Sequence, residues 1–264
     1  MSRTERLSAI LDMLAKTDRI EINEVVEQLG VSPATVRRDL DALAGQQLLS
    51  RTHGGAVAHS VAYDLPIRYK YKQNPDAKTA IARKAAEMVP RGAVIGLSGG
   101  TTTTAIADAL MSRADIMAPA PDPGLTIVTN AINIAMQSAM RPQIKTVLTG
   151  GVANSQSYEL VGAFAEEVLR NVTLDIAFLG VNGMDPEAGP TSHDEREASV
   201  NRIMSQRATR VVVVVVDSSK LGKKAFASLG PVRLIHTVIT DDGATTEQIA
   251  ALREHGYDVV VAQL

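Results

Sequence analysis

The 264-residue sequence contains no cysteine. That absence excludes disulfides, thiolate metal sites and a cysteine nucleophile. It fits a reducing cytoplasm, although many secreted proteins lack the residue too. Long apolar stretches are also missing. The most apolar run, Val211–Val216, falls far short of the ~20 residues that span a bilayer, so a soluble protein with no membrane partner is expected. Arg3, Glu5 and Arg6 lead into an amphipathic stretch, so no secretory leader is expected at the N-terminus. Neither charge dominates: 27 Lys and Arg stand against 29 Asp and Glu, a net charge of −2. This balance speaks against a general nucleic-acid coat but permits a local basic patch. There is no internal repeat.

What is present is an ordinary globular composition, 45% hydrophobic and 21% charged. At ~150 residues per domain the length suggests two domains. Residues 4 to 16 place Leu7, Ile10, Leu11 and Leu14 on one helical face. Thr17-Asp18 ends that helix. Asn23 reads as the N-cap of a short second helix that turns Val25, Val26 and Leu29 inward, with Gly30 as its C′ residue. Ser32-Pro33 opens a third helix, whose buried face carries Val36, Leu40 and Leu43. Residues 48–52 and 56–58 read as two strands around His53-Gly54-Gly55, a hairpin in the place of a wing. The sum over residues 1–58 is a winged helix-turn-helix.

Residues 59–76 read as a linker. From residue 77 to 264 strands alternate with helices, which predicts an α/β domain with a mainly parallel sheet. Strands are expected at 93–97, 125–129, 144–148, 175–180, 211–216, 235–240 and 258–262. Helices are expected near 77–89, 102–112, 131–139, 160–170, 194–208 and 245–255. The consecutive valines suit a strand covered on both faces.

A recognition helix carries short polar or basic residues near its N-terminus, where they reach base edges and phosphates. Ser32, Thr35, Arg37 and Arg38 supply them, Arg51 on the wing can hold a neighbouring phosphate, and His53 sits at the wing tip. Taken alone, the arginine pair also fits a solvated helix face. The helix spacing, the Ser-Pro cap and the Gly-Gly wing together favour double-stranded operator DNA as a partner. Residues 1–58 nevertheless hold seven Lys or Arg against eight Asp or Glu. Positive charge must therefore concentrate on the reading face, and more than one copy is expected to bind a repeated site.

The segment Ser32-Pro33-Ala34-Thr35-Val36-Arg37-Arg38-Asp39-Leu40, followed by Leu43, Leu48-Leu49, Arg51 and His53-Gly54-Gly55-Ala56, closely resembles the DeoR family of bacterial sugar-metabolism regulators. The likeness runs over nearly the whole chain. It implies a repressor whose C-terminal domain senses a phosphorylated sugar, on a fold similar to ribose-5-phosphate isomerase and glucosamine-6-phosphate deaminase. It also implies a homo-oligomer, a dimer or tetramer, joined through the sensor domains.

Ser98-Gly99-Gly100-Thr101-Thr102-Thr103-Thr104 follows a predicted strand and opens a predicted helix. Glycines let backbone N–H groups approach an anion, and threonine hydroxyls add donors at a partially positive helix end. It is not a Walker A loop, since the Gly-Lys-Ser/Thr ending is absent. By itself the segment reads more readily as a capping turn than as an anion site; the family likeness implies a phosphate cradle. Relatives carry an acid where Ser98 stands, a departure that marks a different ligand subclass. Other strand ends should face the same crevice: Asn130, Gly151 and the Gly180-Val181-Asn182-Gly183 turn with Asn182. Asp217-Ser218-Ser219-Lys220 is similar to an Asp-x-Ser-Lys segment of ribose-5-phosphate isomerases, which implies that Lys220 holds the sugar phosphate or a ring-opening hydroxyl. A solvated lysine is the alternative. His193, Asp194 and Glu195 precede a helix, where they serve either as its cap or as ligand contacts.

The isomerases of this fold resemble Gly-Ala-Asp-Glu where this chain has Gly180-Val181-Asn182-Gly183, and Asn182 cannot act as a base at neutral pH. Binding without catalysis, with no metal and no cofactor, is therefore the reading. Ser98-Gly99-Gly100 and Thr191-Ser192-His193-Asp194-Glu195 look most similar to regulators of amino-sugar pathways.

Overall fold

The computed structural model describes residues 1–17, 19–46, 48–57, 67 and 73–264. Contacts group the chain into two units, Met1–Lys72 and Gln73–Leu264. The expected linker lies largely outside the described residues.

In the first unit, α1 (Arg3–Thr17), α2 (Ile22–Leu29) and α3 (Pro33–Gly45) pack beside a small sheet of β1 (Arg19–Glu21), β2 (Ser50–Arg51) and β3 (Gly55–Val57). Leu7, Ile10, Leu11, Leu14, Val25, Val36, Leu40 and Leu43 meet in its core with Ile20, Leu49 and Ala56. The helical period read from the sequence is what brings them there. Ser32 caps α3 as expected, its side chain accepting from Thr35 N at 3.2 Å. The expected cap of α2 is corrected: Glu21 is the N-cap, and Asn23 lies inside the first turn. The reason is β1, absent from the sequence reading, which delivers Glu21 in extended backbone while the Glu24 carboxylate accepts from Glu21 N at 2.8 Å. Helix α2 consequently buries Ile22 and Val25, with Val26 and Leu29 only partly covered.

The sheet runs β1-β3-β2, all antiparallel. A side chain at position 55 would overlap the Ile20 carbonyl oxygen, so the wing closes against β1 only with glycine there.

The second unit is a seven-stranded parallel sheet in the order β15-β14-β12-β9-β4-β5-β6. Its strands are β4 (Val94–Leu97), β5 (Leu125–Thr129), β6 (Ile144–Leu148), β9 (Leu174–Gly180), β12 (Ala208–Val215), β14 (Thr237–Asp241) and β15 (Asp258–Ala262). Each expected strand forms. Around them lie α4 (Pro75–Glu87), α5 (Thr101–Met111), α6 (Ala114–Met117), α7 (Ile132–Ala139), α8 (Ala163–Arg170), α9 (Glu195–Arg207) and α10 (Thr246–Glu254). Residues of α4 to α7 share one core with Ile95, Leu97, Phe178, Val213 and Val215. Residues of α8, α9 and α10 share the other with Leu179, Val212, Val214 and Val216. The valine run is thus divided alternately between two apolar layers, as a strand buried on both sides requires.

Two small sheets were not legible beforehand. One pairs β7 (Val152–Ala153) with β8 (Leu160–Val161). The other orders β10 (Gly183–Asp185), β11 (Gly189–Ser192) and β13 (Ala227–Ser228). Their strands are too short to show a period. Strand β8 also delays α8, which starts after Gly162 rather than at 160.

Chain order reverses between β4 and its neighbour β9. Strands β5 and β6 extend to one side of that pair, and β12, β14 and β15 to the other. Such a switch point opens a crevice at the carboxyl ends of the two strands.

Candidate functional site

Two regions carry the residues singled out from the sequence. The first is the exposed N-terminal half of α3. Ser32 and Thr35 share a side-chain hydrogen bond of 2.9 Å at its start. Arg37 and Arg38 are both exposed, and among the described residues the hydrogen bond of Arg38 is to its own helix, at the Ala34 carbonyl 3.4 Å away. The acids of α3 are engaged elsewhere. Asp39 is buried and accepts from Arg6 of α1 through Nε, and through Nη2 at 3.1 Å. That bond raises the Arg6 guanidinium above its ordinary value. Asp41 accepts from Arg51 Nε at 2.9 Å. A module with one more acid than base thereby still presents cations where α3 begins.

Arg51, the expected phosphate contact of the wing, lies on β2. It is partly buried, and besides Asp41 it donates to the Gly55 carbonyl at 2.6 Å. It acts as a strut tying the wing to α3. His53 is exposed at the turn between β2 and β3.

The second region is the crevice between β4 and β9. Ser98 is fully buried, and its hydroxyl accepts from Gly180 N at 2.9 Å, joining the two strand ends. Gly99 and Gly180 pass so closely that a side chain at 180 would stand 2.8 Å from the Gly99 carbonyl. Gly100 then takes φ +118°, open to glycine, and α5 begins. The first-turn N–H groups of Thr101, Thr102 and Thr103 have no acceptor within their helix. Thr103 and Thr104 donate their hydroxyls to the Gly100 carbonyl at 3.0 and 2.7 Å. Among the described residues the hydroxyls of Thr101 and Thr102 have no hydrogen-bond partner.

Around this turn stand Asn130 at the end of β5, Asn182 after β9 and Lys220 beyond β12. Asn130 is fully buried and donates to Glu159 Oε2 at 2.9 Å and to the Leu160 carbonyl at 3.3 Å. Asn182 accepts from Ser192 Oγ at 3.1 Å and His193 N at 3.2 Å, so its amide ties down the loop before α9. Lys220 donates to the Val181 carbonyl at 3.0 Å and pairs with Asp217 at 3.8 Å. Burial works to raise the Asp217 pKa. The charge of Lys220, hydrogen bonds from Ser219 and Asn74 and the charge of Lys78 outweigh it and hold the carboxyl below its usual range.

Other expected contacts have local partners as well. Gly151 gives room to β8, since a side chain there would stand 2.7 Å from the Val161 carbonyl. Asp194 caps α9, accepting from Arg196 N at 2.8 Å and Glu197 N at 3.2 Å. Burial pulls its pKa up, but the Arg196 side chain and those two backbone donors leave it below the usual carboxylate value. Glu195 is exposed and His193 half-buried.

Sequence reasoning missed several buried charged groups, three of which lie near the residues described above or on α4. Glu159 lies on a two-residue strand's doorstep, with no pattern to announce it. Glu197 accepts from Asn154 Nδ2 at 3.0 Å, Ser157 Oγ at 2.5 Å and Ser192 Oγ at 3.3 Å. Lys78 on α4 is 6% exposed and donates to the Gln73 carbonyl. A lysine inside the alanine-rich buried face of α4 was the available signal.

A helix-turn-helix unit with cations at its recognition helix, followed by an α/β unit with a donor-lined crevice, defines a ligand-responsive DNA-binding regulator. The DeoR-like helix-turn-helix domain matches residues 6–61, and the DeoR C-terminal sensor domain matches residues 73–242. The chain belongs to the DeoR family. It is 31% identical over 255 residues to the glycerol-3-phosphate regulon repressor of Escherichia coli K12, covering 97% of each chain. It is 30% identical to a putative aga operon transcriptional repressor of Escherichia coli O157:H7, covering 98% of this chain and 93% of that one. Among solved structures, ribose 5-phosphate isomerase A of Methanocaldococcus jannaschii aligns with 56% of this chain and 55% of its own, at 21% identity and a TM-score of 0.41. Among the described residues no helix is long and apolar enough to cross a membrane.

Proposed function

We propose that this chain is a cytoplasmic repressor of a sugar or amino-sugar utilisation operon that releases its operator when a phosphorylated sugar binds the β4/β9 crevice. The carrying observation is the α5 turn, where Thr101 and Thr102 hydroxyls and the first-turn N–H groups face an unfilled need for acceptors. Lys220, beyond β12, donates to the Val181 carbonyl just after β9 and adds a cation to the same crevice. Relatives named for a glycerol-3-phosphate regulon and an aga operon support phosphorylated effectors of this kind.

The chain acts by binding and not by turnover. What supports this is Asn182 after β9, an amide that cannot act as a base at neutral pH and whose Oδ1 accepts from Ser192 Oγ and His193 N. Two or more copies place their winged helices on repeated half-sites, which makes good the low net charge of each module. The effector shifts the population between DNA-competent and released states by no more than its differential affinity for them. Fluorescence anisotropy with DNA from upstream of the chain's own gene, titrated with phosphosugars, tests this reading. Release at millimolar effector or below is expected; indifference to every phosphosugar would sink it. Turnover of a phosphosugar by the pure protein would overturn the non-enzymatic part.

A further inference from the structure

The crevice and the start of the second unit share one carboxylate. Asp217 is 2% exposed, and its Oδ2 pairs with Lys220 at 3.8 Å. Its Oδ1 receives Asn74 Nδ2 at 3.0 Å and Ser219 Oγ. The same Asn74 amide reaches Ser219 Oγ at 3.4 Å. Asn74 is the N-cap of α4, and Gln73 before it is the first residue of the second unit. Lys78, buried on α4, donates its Nζ to the Gln73 carbonyl and its backbone N–H to the Asn74 carbonyl at 3.1 Å. The two residues through which the chain enters from the DNA-binding unit are thus held by one lysine and one carboxylate. That carboxylate is also a partner of the crevice cation.

The segment carrying the carboxylate is anchored from behind. Ser218 N and Oγ donate to Asp241 at the end of β14, at 2.6 and 2.8 Å. Asn74 is the part with somewhere else to go. It stands at φ +48° and ψ +52°, a left-handed conformation that asparagine tolerates better than most residues. Residue 75 is proline, however, and the residue before a proline is driven toward extended backbone. Local sequence therefore favours one conformation at residue 74, and the bonds to Asp217 and Ser219 hold another. Such a conformation persists only where its surroundings over-determine it.

We propose that Asn74 is the positioning residue through which the crevice acts on DNA binding. A phosphorylated ligand that takes Lys220 as its counterion changes the hold of Asp217 on Asn74. The direction in which the chain leaves toward the winged helix changes with it. This coupling rests on the effector reading given above and adds a route to it. An anion within reach of Lys220 competes with Asp217 for the same charge and repels the carboxylate as well. Coupling needs an element with two arrangements that both sites bias, and residue 74 supplies one.

The test uses the full-length chain, DNA from upstream of its own gene, and glucose 6-phosphate, glucosamine 6-phosphate and glycerol 3-phosphate as probes. The affinity for each probe is measured on free and DNA-bound protein. By linkage, the ratio of the two equals the factor by which the probe weakens DNA binding. Wild type should give a ratio of roughly 5–150 with at least one probe, the usual span for coupled sites. Asn74→Gly leaves the left-handed backbone open and removes only the amide. It should bring that ratio to within about twofold of one, while DNA-free protein binds the probe as wild type does. Asn74→Asp sets a second carboxylate against Asp217 and should lose the coupling in the same way. Hydrogen exchange of the Lys78 amide, whose acceptor is the Asn74 carbonyl, should change when the probe binds wild type, a readout that needs no variant. Wild-type ratios in both variants, or unaltered exchange at Lys78, overturn the proposal and leave the effector reading standing. So does a loss of probe affinity in the DNA-free variants, which would place Asn74 in the ligand site. A wild type with a ratio of one for all three probes overturns the effector reading and this inference with it.

Discussion

Ser98 Oγ accepts the backbone N–H of Gly180 at 2.9 Å, so the ends of β4 and β9 are latched by one buried hydroxyl at the place where strand order reverses. Ser98→Ala leaves that N–H without its acceptor in a site with no exposure. A loss of about 1–3 kcal/mol of stability is expected. Chemical denaturation measures it, and a variant as stable as wild type would show that the latch carries no weight.

Arg38→Ala should remove operator-specific binding while leaving the melting temperature of the protein unchanged. The side chain is exposed, and its hydrogen bond among the described residues is to its own helix. One arginine reading a guanine is worth ~1–3 kcal/mol, a tenfold to hundredfold loss in anisotropy titrations. Simultaneous loss of effector binding would point to misfolding instead.

Arg51→Ala should behave otherwise. Its bonds to Asp41 and the Gly55 carbonyl brace the wing. The variant should lower the stability of the N-terminal unit as well as DNA affinity, and hydrogen exchange should rise at β2 and β3. Weakened DNA binding with unaltered exchange would return Arg51 to the role of a phosphate contact.

Asp39→Ala strands the Arg6 guanidinium, which is only 14% exposed. Removing one partner of a buried pair costs about 3–5 kcal/mol, and denaturation of the full chain should show an early transition from the N-terminal unit. A single unshifted transition would count against the pair.

Asp217 supplies a pH dependence with a definite sign. Its folded pKa lies below the unfolded value of about 3.9. The resulting stabilisation is present in full above about pH 4 and is lost as pH falls through the lower folded value. Lys220→Ala removes the first-named of the influences that lower it, so acid unfolding should begin at higher pH, and DNA release by effector should fail. Identical acid transitions in the two proteins would refute the coupling.

The sheet was legible because its strands are long, apolar and punctuated, and helix α3 because Ser32 and Pro33 announce it. The α5 turn was legible as glycines followed by hydroxyls. What escaped depends on contacts distant in sequence. Glu159 meets Gly99 across 60 residues, and nothing near either position reports it. Ser98 reads as a ligand contact in one dimension, and nothing near it reports that its oxygen accepts the Gly180 N–H. Arg51 reads as a phosphate contact, and nothing near it reports that Asp41, ten residues earlier, accepts its Nε. Strand β1 was hidden because three residues show no alternation, and its presence moved the α2 cap from Asn23 to Glu21.

The valine run of β12 contains no information about its own register. Sliding it by one residue exchanges Val213 and Val215 for Val212 and Val214, identical side chains offered to opposite cores. Alignment must come from the ends, from the irregular pairing between Ala208 and Val211 at one and from Asp217 at the other. The run is therefore a ruler. Its length alone fixes how far Lys220 projects beyond the sheet, and one valine more or fewer would displace that amine by about 3.3 Å, enough to break its bond to the Val181 carbonyl without changing the composition of either core.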